Sequence, residues 1–98
     1  MTIEMKKTDA ETVIEVSGRL DTTTAPVLDK TIGENVPENA ALVLDLKELA
    51  YISSAGLRVF LSAQKRMQKR GSMKLMNVCE EVMEVFEMTG FADILEIV

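Results

Sequence analysis

The sequence predicts an α/β fold. It is a small mixed, mostly parallel sheet of four to five strands, in the order β-β-α-β-α-β-α, with helices mainly on one face. Three observations carry this. Short β-branched or apolar runs alternate with segments of helical period, the pattern of right-handed βαβ crossovers and parallel pairing. Leu42-Val43-Leu44-Asp45-Leu46 is almost continuously apolar, which suits a central strand covered on at least one face. Two strands stand together at the start, so a hairpin adds one antiparallel neighbour. A chain of 98 residues makes a single domain, residues 1–98, against a prior of ~150 residues per domain. That length buries roughly 60–70% of the unfolded surface, enough for one core without staples.

The elements follow in order. Residues 2–8 place Ile3 and Met5 on one side and read as an edge strand. Asp9-Ala10-Glu11 reads as a turn, and the β-branched run Thr12 to Ser17 as its partner strand, punctuated by Gly18. Asp21-Thr22-Thr23-Thr24-Ala25-Pro26 offers caps and a first-turn proline, so a helix starts there, with Val27, Leu28 and Ile32 as its apolar stripe. Gly33 and then Asn35 through Pro37 are expected to end it. Residues 42–46, preceded by Ala40 and Ala41, form the central strand, and Lys47 to Ile52 reads as a connection.

The main helix spans roughly Ser54 to Arg70. With Leu57 at zero degrees, Val59, Phe60, Leu61, Ala63 and Met67 fall on one broad side and Arg58, Ser62, Lys65, Arg66 and Lys69 on the other. Its basic last turn complements the helix dipole, and Gly71 suits the position after its end. Met73 to Val78 is the next interior strand, and Glu80 to Met88 a helix with Gly90 as its stop. Phe91 to Val98 suits a helical turn or a small strand.

Composition removes whole classes of function. Without histidine there is no Ser-His or Cys-His couple and the commonest metal ligand is missing. Cys79 is the only cysteine, which rules out an intrachain disulfide and a Cys-rich metal site. No metal or cofactor is expected. A net charge of −5 argues against nucleic acid as a partner. The longest apolar run, Ala40 to Leu44, is far short of the ~18 residues that span a bilayer. No apolar stretch follows Lys6 and Lys7, so neither a signal peptide nor membrane attachment is expected, and the cytoplasm is the simplest compartment.

Chemistry concentrates at Ile52-Ser53-Ser54-Ala55-Gly56-Leu57. Two adjacent hydroxyls stand at a helix N-terminus, where unpaired N–H groups and the dipole favour negative charge. A serine at such a place is most often a cap; if Ser53 caps, the hydroxyl of Ser54 is free on the first turn. Gly56 either keeps that turn open to another protein or packs helix on sheet. A nucleophile elbow would need a glycine two residues either side of the serine and a partnered base, and only Gly56 is present, so the chain is not read as an enzyme. Asp21 serves as a helix cap or as part of a site. Loops that follow parallel strands gather at one sheet edge, so if its strand neighbours the one before Ser54, the two loops share a surface, extended by Thr22, Thr23 and Thr24. The basic group Lys65-Arg66-Lys69-Arg70 is most simply a solvated helix face, and Cys79 a buried thiol.

These stretches resemble, over essentially the whole chain, STAS-domain proteins of the anti-sigma factor antagonist type. The likeness rests on Val16-Ser17-Gly18-Arg19-Leu20-Asp21 with the Thr-rich, Pro-containing helix start, on Leu42 to Leu46, and above all on Ile52 to Leu57. It implies a STAS-like fold and a partner-switching protein. Such a protein binds an anti-sigma factor with a GHKL-type kinase site, frees the sigma factor, is released by serine phosphorylation and is reset by a PP2C-type phosphatase. The family's commonest motif is Asp-Ser-Ser/Thr-Gly-Leu. Ser53 stands here where the aspartate usually is, Ser54 matches the phosphorylated serine, and Ala55 replaces the second hydroxyl. The expected acceptor is thus Ser54, with Ser53 as the alternative. The expected partner surface is Asp21, Thr22, Thr23, Thr24, Ser53, Ser54, Ala55, Gly56 and Arg58, on a protein that is a monomer when free. The other function open to this family is a STAS subunit that does not switch, a structural or ligand-binding module of a lipid-transport or transporter complex.

Overall fold

Alternation along the strands decides which sheet face is covered. The computed structural model describes residues 1–8, 10–36 and 41–98, and the side chains of 69 and 70 also lie outside the description. The first strand, β1 (Thr2–Lys7), is exposed apart from half-buried Ile3. β2 (Glu11–Leu20) buries Thr12, Ile14 and Val16 while Val13 and Glu15 between them stay half-buried. β3 (Ala41–Asp45) sets Leu42 and Leu44 beside Thr12 and Ile14, and β5 (Ser72–Met76) sets Met73 and Leu75 beside those leucines. Side chains of this face join one core with residues from α1 (Ala25–Asn35), α2 (Ser54–Arg70) and α3 (Glu80–Thr89). Helices therefore cover one face, as the sequence predicts. Phe60 of α2 and Phe86 of α3 meet as tilted rings 6.1 Å apart, a favoured aromatic geometry. An ion pair at 3.8 Å joins Arg66 of α2 to Asp29 of α1.

Among the described residues the sheet has five strands. Its main path runs β1-β2-β3-β5, with β1 antiparallel to β2 and the other pairings parallel. The fifth strand, β4 (Leu49–Ile52), lies off that path and pairs with the far end of β2. This corrects the sequence reading, in which Lys47 to Ile52 only connects. Four residues with exposed Ala50 and Tyr51 in the middle carry no period of their own. They form a strand because β2 continues past β3 to receive them. β2 continues through Gly18, which does not end it. At φ +91°, Gly18 forms an irregularity where the register shifts, and its N–H donates to Glu48 O at 2.9 Å. A glycine takes that conformation at no steric cost, and the residue left over by the shift is Ala50 of β4, between Leu49 and Tyr51.

Two other boundaries move. The first helix begins at Ala25 and runs through Gly33 to Asn35, since an exposed glycine costs a helix only ~1 kcal/mol and Leu28 and Ile32 are held in the core. The expected turn residue Asp9, the stop at Pro37 and Ala40 lie outside the described residues. Of the two alternatives expected for the tail the structure has the helical turn, a 3₁₀ turn at Phe91–Asp93, followed by a single parallel bridge between Ile97 and Leu75 on the outer edge of β5 rather than a strand. Among the described residues no helix is long and apolar enough to cross a membrane.

Gly56 is buried where α2 crosses the ends of β2 and β4. A Cβ there would lie 2.8 Å from Ile52 Cγ1 and 2.8 Å from Leu20 Cγ. Gly33, by contrast, would offer its Cβ only an ordinary 3.5 Å contact with Arg66 Nη1. In urea melts Gly56→Ala is expected to lose about 1–3 kcal/mol through overpacking. Gly33→Ala in the same helical state is expected to gain roughly 0.5–1 kcal/mol. Equal effects of the two changes would contradict this packing.

Candidate functional site

Two parallel strands that end together deliver two loops to one place. Leu20 of β2 pairs with Ile52 of β4, and the N–H of Ser53 donates to Leu20 O at 2.9 Å. The chain therefore leaves β2 as Asp21 and leaves β4 as Ser53-Ser54 side by side. The shared surface expected from the sequence exists, but β4 creates it, not the central strand β3.

Asp21 organises the first loop. Its Oδ1 accepts from the Thr23 hydroxyl at 2.7 Å and from the Thr23 and Thr24 N–H groups at 3.1 Å each. Its own N–H donates to Thr24 Oγ1 at 2.8 Å, and that hydroxyl donates to Arg19 O at 2.9 Å. Asp21 thus caps the turn before α1 rather than α1 itself, whose N-cap position is Thr24. The Thr23 hydroxyl, helped by the Thr24 N–H, holds the Asp21 carboxyl below the usual aspartate range. Thr22 and Thr23 are exposed, and Thr24 is half-buried.

The second loop separates its two serines. Ser53 holds the N-cap position of α2 with extended backbone, φ −99° and ψ 177°, but its side chain makes no cap bond. Its Oγ is buried and has no hydrogen-bond partner among the described residues. Ser54, the first residue of α2, is exposed. Among the described residues no side chain caps the first turn, so its N–H groups are available to an anion. Ala55 is half-buried against the core. Gly56 leaves the expected partner surface altogether: it is buried, and the space a side chain would need is filled by Leu20 and Ile52. Arg58 is exposed, and its Nε donates to Ser54 O at 3.4 Å.

Sequence reasoning missed one pair beside this edge. The Arg19 guanidinium lies 4.0 Å over the ring of Tyr51, which is 40% exposed. The only signal that could have found it is the neighbouring of β2 and β4, which has no local mark in the sequence. Cys79 is half-buried, its Sγ donating to Leu49 O at 3.4 Å. The arrangement can do two things chemically: present polar groups to a protein, and hold an anion at Ser54.

A family model for the STAS domain matches residues 2–98. The chain is 32% identical to an anti-sigma-B factor antagonist of Bacillus subtilis, over 97% of this chain and 88% of that protein. It is 36% identical to the anti-sigma-B factor antagonist of Listeria monocytogenes, over 99% of this chain and 88% of that one. Among solved structures, an anti-sigma factor antagonist from Mycobacterium paratuberculosis superposes with a TM-score of 0.87 at 26% identity, over 98% of this chain and 83% of that chain. SpoIIAA, solved in its unphosphorylated form, shares the fold with a TM-score of 0.76 at 17% identity, over 99% and 88% of the two chains.

The lowered pKa of Asp21 fixes a sign. A carboxyl that ionises more readily when folded adds stability above the unfolded value, and that stability is lost as pH falls through the folded value. Asp21→Ala is therefore expected to melt at lower urea than the parent at pH 7. The difference should shrink as pH drops below about 4. A gap that stays constant down to pH 2 would contradict the role given to the carboxylate.

Proposed function

The chain belongs to the STAS-domain family, and from that membership we propose that it is an anti-sigma factor antagonist switched off by phosphorylation of Ser54. It binds an anti-sigma factor through the edge formed by Asp21, Thr22, Thr23, Ser54 and Arg58, and so frees a sigma factor. The anti-sigma factor is a GHKL-type kinase, a PP2C-type phosphatase resets the switch, and the exchange takes place one-to-one in the cytoplasm. The protein contributes a surface and an acceptor, not a reaction of its own.

The observation that carries this reading is the contrast between neighbouring hydroxyls. Ser54 is exposed on the first turn of α2 beside the Asp21 loop, while the Ser53 hydroxyl is buried. A kinase can reach the former and not the latter. A phosphate adds about −1.5 to −2 charge. At 4 Å two like charges repel by ~4 kcal/mol at an effective dielectric near 20. A few kcal/mol of that kind lowers affinity by roughly two to three decades. Asp21 already sets a negative charge on the same edge, which adds to the effect. The open helix N-terminus holds the phosphate, so release needs no refolding.

Titration calorimetry with the source cell's anti-sigma factor tests the switch. Ser54→Asp is expected to keep the parent's urea midpoint and to bind at least about tenfold more weakly. Ser54→Ala should bind and resist release by ATP, and mass spectrometry should find phosphate on residue 54 of the parent only. Parent-like affinity in Ser54→Asp, or phosphate on Ser53, overturns the proposal.

A further inference from the structure

We propose that Arg58 is the built-in counter-ion of the Ser54 phosphate, so that modification alters the binding edge twice. It adds a dianion, and it takes out of play the only charged side chain in the first two turns of α2, residues 54–61. The inference rests on Ser54 being the phosphorylated residue.

Spacing comes first. Residues four apart on a helix share a face with Cβ atoms ~5–6 Å apart. Helical side chains lean toward the N-terminus, so the residue at i+4 reaches over the one at i. Arg58 follows this rule: its Nε donates back to the carbonyl of Ser54 at 3.4 Å. That bond is long, but it fixes the direction of the side chain and leaves the two Nη groups for an anion at Ser54. An acidic residue N-terminal to a basic one at this spacing is the favourable order on a helix. A guanidinium also matches two phosphate oxygens at once.

Occupancy comes second. Among the described residues Arg58 has no carboxylate partner, whereas Arg66 is paired with Asp29 and Lys6 with Glu15. On the neighbouring strands Arg19 lies over Tyr51, and the Asp21 carboxylate is engaged by Thr23 and Thr24. The charged or titratable groups near the Ser54 edge are thus Arg58 on α2, Asp21 in the loop after β2, Arg19 on β2 and Tyr51 on β4. Of the two cations Arg58 is the one on the helix that carries Ser54. The first-turn N–H groups of α2, uncapped by any side chain, supply the other half of the cradle.

The test places phosphoserine at position 54 during synthesis, with no kinase involved. The second ionisation of the phosphate is then followed by phosphorus NMR in the otherwise unchanged protein, in Arg58→Gln and in Arg58→Lys. The phosphate is expected to ionise about 0.3 pH unit higher in Arg58→Gln, the size of an i,i+4 ion pair. Arg58→Lys should recover most of the shift, and 1 M salt should shrink it in the parent. Identical titrations in the parent and Arg58→Gln overturn the proposal. They leave the Ser54 switch standing, because that is judged separately by the affinity of Ser54→Asp.

Discussion

The site depends on how closely α2 approaches the paired ends of β2 and β4, and Leu20 is the residue through which that approach is made. Its carbonyl accepts the N–H of Ser53, its backbone pairs with Ile52, and its side chain fills the space beneath Gly56. Leu20 is itself fully buried. One residue therefore ties the end of a strand, the start of a helix and the core together. A side chain at position 56 would force Leu20, Ile52 or α2 itself to shift. The requirement is geometric, not chemical: Gly56 is buried and leaves no room for a side chain.

Above this joint the polar groups divide by what they are bonded to. Asp21 is consumed by its own turn, accepting from Thr23 and Thr24. It holds a loop in shape and leaves a negative charge near the surface. Ser53 is placed to cap α2, but its hydroxyl is buried and has no hydrogen-bond partner among the described residues. An unpaired buried hydroxyl costs about 1–3 kcal/mol. The Ser54 hydroxyl makes no hydrogen bond among the described residues, and only the carbonyl of Ser54 accepts from a side chain, that of Arg58. A group that the fold does not use can be changed without cost to the fold, and that property is what a switch needs.

Much of this was legible in the sequence, and the misses share a cause. The long helix starts at Ser54 and ends at Arg70 as its apolar stripe and caps predict, because those signals lie within one turn of the residues they describe. The central strand and the hairpin were equally plain. β4 was not: Leu49 and Ile52 are buried, but Ala50 and Tyr51 are exposed, and nothing in four residues announces a strand. Its pairing with residues of β2 some thirty positions earlier makes it one. The same distance hid the Arg19–Tyr51 stack and left Gly56 ambiguous between an open turn and a packed one. Gly18 misled in the other direction, since a glycine that usually stops a strand here lies inside one, at the point where pairing with β4 begins.

The separation between fold and signal also limits how release can work. No described bond of the fold involves the Ser54 hydroxyl, and the residue is exposed. A phosphate there gains the helix N-terminus without displacing any native contact. A mechanism that melted the first turn of α2 would have to work against the Ser53–Leu20 bond and the core contacts of Leu57 and Phe60. A negative charge at a helix N-terminus stabilises that turn by roughly 0.3–1 kcal/mol, so the electrostatics run against melting as well. What would change is what an approaching surface meets: a hydroxyl and a free Arg58 before modification, a phosphate beside Asp21 with Arg58 turned to it afterwards. Repulsion at the edge follows from the charge and the position alone, and the sheet beneath it can stay as it is.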